Sequence, residues 1–163
     1  MSDDTEYDAL QQIGKNCAEC LVEMVAALNC DYDRLAELEA LGDEIDADDT
    51  DEYDSLKKAA GECESREDAE TRISEDPLSI ELAGTWTLGT PPTADRALIL
   101  LGTGGPAVRI VCELDDHMEP HRAWIEAQDW GTPWTQCFNV IEQETLLTYC
   151  RCFYFSESEE SEA

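Results

Sequence analysis

The sequence predicts an α+β protein: acidic N-terminal helices, beginning with an antiparallel pair, packed with a four-stranded antiparallel sheet and a C-terminal helix. Three observations predict it. Up to Pro77 the apolar residues recur three or four apart, which is the helical period. After Pro77 the texture changes to alternation broken by Gly, Pro and Asp turn signals. A last stretch, VIEQETLLTYCRCFYF, returns to helical spacing.

The first helix is expected over residues 4–28, where Leu10, Ile13, Cys17, Cys20 or Leu21, Met24 and Leu28 share a face and Asp4 or Thr5 caps the start. A second, over DYDRLAELEALGDEI, takes Asp31 or Asp33 as its cap, lines Leu35, Leu38, Leu41 and Ile45 on one side, and meets a breaker at Gly42. These two are expected to pack antiparallel. Between Ser55 and Pro77 lie one or two short helices, with Ser65 and Asp68 forming a Ser-x-x-Asp start and Pro77 a stop.

Four strands are expected at LSIELAGTWTL, RALILL, AVRIVCEL and RAWIEAQDW. Their connections, GTPPTAD, GTGGP and DDHMEPH, are short enough for the hairpins of a meander. In the third strand Val108, Ile110, Cys112 and Leu114 fall on one face, with Arg109 and Glu113 on the other. The closing helix is expected to offer Leu146, Leu147, Cys150 and Phe153 or Tyr154 to the sheet. The expected regions are therefore 1–76 (acidic and helical), 77–155 (meander plus helix) and 156–163, an acidic tail too polar to fold alone.

Charge is the strongest compositional signal. Of 163 residues, 39 are acidic and 10 basic, a net −29. Self-repulsion on that scale costs stability, so the field itself is expected to be used, most simply to attract a basic surface. Residues 1–82 carry 26 acids against 6 bases, whereas residues 83–155 carry 9 against 4. Adaptation to high salt would dress both halves alike. Direct binding of nucleic acid or of an anionic membrane is excluded by the same balance, since both need cations.

Eight cysteines invite thoughts of a disulfide framework, but MSDDTEYDAL is acidic where a signal peptide is basic, and no apolar run reaches the length of a membrane span. A reduced, cytoplasmic protein is expected.

The segments CDYDRLAELEAL, SREDAETRISEDPLSIEL, LLGTGGPAVRIVCELD and RAWIEAQDWGTPW together resemble a family of small acidic proteins of bacteriophages and integrative mobile elements. The resemblance covers roughly residues 15–155. It implies a source, and with it the anti-defence roles, anti-CRISPR or anti-restriction, that such elements often assign to small acidic proteins imitating DNA. It implies no catalytic residues.

The stretch GDEIDADDTDEYD, residues 42–54, concentrates eight carboxylates in thirteen positions. As an EF-hand it fails: with Asp46 first, Thr50 stands where an acid belongs, Asp51 replaces the glycine and Lys57 replaces the final Glu. As a recognition surface it is coherent, because acids three or four apart on the adjoining helices lie about 5–6 Å from one another, comparable with the charge spacing of a duplex backbone. The candidate partner-binding residues are Glu37, Asp43, Glu44, Asp46, Asp48, Asp49, Asp51, Glu52 and Asp54.

Other motifs point to structure. Cys17-Ala-Glu-Cys20 has zinc spacing, and Cys150 and Cys152 would complete four ligands, yet both pairs fall among apolar helical neighbours where cysteine serves as a small core residue. His117 and His121 flank Pro120 in an expected turn. GTGGP lacks the Lys-Ser/Thr of a P-loop and precedes a strand. Trp130 and Trp134 bracket a Gly-Thr-Pro turn and are expected to anchor the core. Glu113, Glu126 and Asp129 read as a solvated sheet face rather than a hydrolase.

The expected function is therefore that of a phage-type inhibitor, not an enzyme and without cofactor or metal. It would occupy the basic nucleic-acid-binding surface of a host defence nuclease in the bacterial cytoplasm. A zinc- or divalent-cation-binding structural or regulatory protein is the alternative.

Overall fold

A computed structural model describes residues 2–85, 88–89, 93–103, 106–153 and 155. Five α-helices precede, flank and follow one sheet: α1 (Ser2–Asn29), α2 (Tyr32–Leu41), α3 (Ala47–Ala60), α4 (Arg66–Glu75), then β1 (Ser79–Thr85), β2 (Thr93–Gly102), β3 (Ala107–Leu114), β4 (Pro120–Gln128), β5 (Thr135–Cys137) and α5 (Gln143–Cys150), with a 3-10 turn at Gly42–Glu44. The sheet is an antiparallel meander in the order β1-β2-β3-β4-β5. It therefore has five strands rather than four. The tail 156–163, and parts of the expected turns GTPPTAD and GTGGP, lie outside the described residues. Among the described residues no helix is long and apolar enough to cross a membrane.

The helix boundaries follow from capping chemistry. Asp31 accepts from the Arg34 amide and starts α2; the Gly42 amide, at φ +54°, donates back to Glu39 and stops it. Ser65 accepts from the Asp68 amide, while the Asp68 carboxylate accepts from the Glu64 amide at 2.9 Å, a reciprocal start for α4. Pro77 follows its end. The closing helix is shorter than the expected 140–155, because Arg151 already caps α5 and the chain then turns.

The core lies between α1, α4 and α5 and one face of the sheet. Leu10, Ala18, Leu21, Met24 and Leu28 line the buried stripe of α1, Ile73 comes from α4, Leu146, Tyr149 and Cys150 from α5, and Ile99, Ile110, Cys112 and Ile125 from the strands. Close approach of α1 to the sheet depends on Gly14: a Cβ there would overlap the Sγ and Cβ of Cys137 on β5. The Tyr149 hydroxyl donates to Asp76 at 2.8 Å, joining α5 to the end of α4.

The antiparallel pair expected of the first two helices forms elsewhere. α2 packs chiefly on α3, and no comparable α1–α2 packing exists. Leu35 and Leu38 are buried but stand outside the main core cluster, so α2 and α3 make a satellite layer carried on α1. The cause lies in the acidic run itself, which is helical from Ala47 onward and turns Tyr53, Leu56 and Ala60 to its less exposed side.

Candidate partner-binding surface

The nine acidic candidates are brought onto one hairpin but do not play one part. Glu37 belongs to α2, Asp43 and Glu44 to the 3-10 turn, and Asp48, Asp49, Asp51, Glu52 and Asp54 to α3, with Asp46 as the residue that caps α3. Asp46 accepts from the Asp49 amide at 2.8 Å, and Asp48 and Asp49 occupy the first turn, where a carboxylate is favoured by the exposed amides and the helix dipole. Part of the acidic run is thus how α3 begins.

Arg34 engages three more. Its Nη1 lies 3.2 Å from Glu37, its Nη2 3.4 Å from Asp49 and 2.8 Å from Glu52. The hydrogen bonds Arg34 donates to Glu52 and Glu37 push the guanidinium pKa further up, and the same donation to Glu52 lowers that of Glu52. Lys57 adds a looser bridge to Glu39 at 3.6 Å, again between α3 and α2. These exposed pairs set the hairpin's geometry more than its stability.

Asp43, Glu44, Asp48, Asp51 and Asp54 remain. Each is exposed, and none has an ion pair among the described residues. Asp51 stands three positions from both Asp48 and Asp54, so the three form a short ridge on α3. Sequence reasoning did not separate these free carboxylates from the engaged ones. The signal was present: Arg34 is the one cation between Lys15 and Lys57.

The open face of the sheet has the opposite character. From the strand pairing, Glu81, Arg96, Arg109, Glu113, Arg122 and Glu126 all point away from the helices, three acids and three bases. Arg109 meets Glu126 at 2.7 Å and lies 4.2 Å over the Trp134 ring, while the Trp124 indole donates to Glu126 at 2.9 Å. Arg122 approaches Glu113 at 3.6 Å. Glu126 and Glu113 are therefore occupied by arginines, and Asp129 accepts from the Trp130 amide in a turn closed by Thr132. Trp130 does not anchor the core: it sits in that turn 82% exposed, whereas Trp134 rests against Arg109.

The cysteines divide by burial. Cys112, Cys137 and Cys150 are buried, Cys20 is exposed, and all eight are free thiols. Burial, with smaller contributions from Cys20, Asp76 and Cys137, pushes Cys17 up to about 12. Donation of the Cys150 thiol to Cys112, reinforced by burial, raises Cys150. Among the described residues no group of three or more His, Cys, Asp or Glu is disposed to hold a metal ion. His117 lies in the turn organised by Asp115, which accepts from the His117 and Glu119 amides.

No protein family, curated protein or solved structure matches this chain at a significant level.

Proposed function

We propose that the protein is a phage-type inhibitor that uses its acidic helical hairpin to occupy a basic nucleic-acid-binding surface on a host defence nuclease, a CRISPR effector or a restriction enzyme. The observation that carries this reading is the segregation of charge. A net −20 lies in residues 1–82, where the free carboxylates of the 3-10 turn and α3 are exposed, while the open sheet face balances three acids with three bases. A polyanionic side on a charge-balanced base suits electrostatic steering toward a cationic channel, with carboxylates standing in for phosphates. Arg34 supports the same reading by fixing α2 against α3, since an array of weak charges recognises best when held rigid.

Competition is the direct test. The protein, titrated at low salt into host nucleases loaded with fluorescent duplex or guide RNA, is expected to displace the nucleic acid from its target and to lose that effect as salt rises. Absence of displacement from every nuclease tried, with the protein folded, contradicts the proposal.

A further inference from the structure

The two edges of the sheet are finished differently. On the β5 side the Gln11 side chain reaches from α1, donating to the Gln136 carbonyl at 2.9 Å and accepting from the Phe138 amide at 2.9 Å. Gln143 does the same for β4 beyond the end of β5, exchanging two hydrogen bonds of 2.8 and 2.7 Å with the Ala123 backbone. Those groups are satisfied by side chains that mimic a neighbouring strand.

Along β1 no described element does this. Its seven residues pair with β2 alone, and the outward amides and carbonyls have no partner among the described residues. Ser79–Thr85 contains neither proline nor lysine, the residues that commonly blunt such an edge. Leu78 just before it and Ile80 within it are 60% and 40% exposed. By the alternation of the strand these aliphatics and Leu82 fall on one side, and Glu81 on the other.

We propose that β1 is a docking edge for an extended segment of a partner protein in which aliphatic residues alternate with lysine or arginine. Main-chain hydrogen bonds to the open edge supply the common part of the affinity. Partner aliphatics cover Leu78, Ile80 and Leu82, and partner cations face Glu81, which is exposed. A second copy of this chain is a poor occupant, since pairing β1 with β1 brings two molecules of net −29 together and sets Glu81 near its own image. The inference rests on the proposed function for the sign of the partner's charge and for nothing else.

The test uses the full chain and three nine-residue peptides: valine alternating with lysine, the same composition in two blocks, and valine alternating with glutamate. Amide hydrogen exchange and affinity are read at physiological salt. The Val-Lys alternating peptide is expected to slow exchange within Ser79–Thr85, and Glu81→Lys, an exposed and fold-neutral change, to weaken its binding about tenfold. Three results overturn the proposal. In the first, the block peptide binds β1 as well as the alternating one, or protection appears on α3 instead, which leaves the acidic-hairpin function standing. In the second, the Val-Glu peptide protects β1 equally, which removes the cationic preference. In the third, β1 protection rises with protein concentration in the absence of peptide, which assigns the edge to a second copy.

Discussion

Arg34 holds Glu52 through two hydrogen bonds to one carboxylate oxygen, Nη2 at 2.8 Å and Nε at 3.1 Å, and so ties α2 to α3. The same guanidinium reaches Glu37 and Asp49, which makes it the hub of the acidic hairpin. Because the Arg34 hydrogen bond lowers the Glu52 pKa, the pairing is fully present above the ordinary glutamate range and is lost as pH falls through the depressed value. Titration followed by carboxyl NMR is expected to place Glu52 below 4.5, its reference value, and to return it to the ordinary range in Arg34→Gln. An unshifted Glu52 in the native protein would show that the hub does not form in solution.

Gly14 and Cys137 define how closely α1 approaches the sheet. Gly14→Ala raises helix propensity by about 1 kcal/mol, yet the new methyl collides with the Cys137 side chain, and overpacking costs about 1–3 kcal/mol. Net destabilisation is expected on chemical unfolding, relieved in the double variant Gly14→Ala/Cys137→Gly. A more stable single variant would mean the contact is looser than described.

Tyr149 and Trp130 make an opposed pair. Tyr149 is fully buried and hydrogen-bonded to Asp76, so Tyr149→Phe is expected to cost about 1.5–3 kcal/mol through the loss of a bond to a charged partner. Trp130→Ala, at an exposed turn position, is expected to stay within about 0.5 kcal/mol of the native protein. Thermal melts of the two variants side by side check both. The reverse order would place Trp130 back in the core.

Local signals were legible in the sequence, and long-range ones were not. Asp31, Ser65 with Asp68, and Pro77 mark helix limits by chemistry contained within four residues, and the four longer strands carry their own alternation. β5 has three residues and is held by Gln11 from the other end of the chain, so no local pattern announces it. The acidic run concealed a helix because its acids dominate the composition, while Tyr53, Leu56 and Ala60 keep the helical spacing. Trp130 was misplaced for a different reason: tryptophan favours the core on average, but a turn position projects its side chain outward whatever its type. Of the nine candidate acids, sequence supplied the location; only packing separated the four that cap α3 or bind Arg34, namely Glu37, Asp46, Asp49 and Glu52, from the free ones.

Thiol chemistry gives a separate check on the packing. Cys20 is exposed, while Cys112 and Cys150 are buried and Cys17 is pushed up to about 12 by its burial. Brief treatment with N-ethylmaleimide at neutral pH, read by peptide mass spectrometry, is expected to label Cys20 first and to leave Cys17, Cys112 and Cys150 unmodified until denaturant is added. Early labelling of Cys150 would contradict the docking of α5.

Under the proposed function the free carboxylates of the acidic hairpin, and not net charge alone, carry partner recognition. Two triple variants of equal net charge decide it: Asp48→Asn/Asp51→Asn/Asp54→Asn on the α3 ridge, and Asp116→Asn/Glu119→Gln/Glu142→Gln, three exposed acids of the sheet half. Both spare Arg34 and its partners. The measurement is the affinity of each, across a salt series, for the nuclease from which the native protein displaces nucleic acid. At least about a tenfold loss and a flatter salt dependence are expected for the α3 variant alone, with both variants folded and within about 1 kcal/mol of the native protein. Equal losses in the two variants, or no loss in the α3 variant, would contradict it.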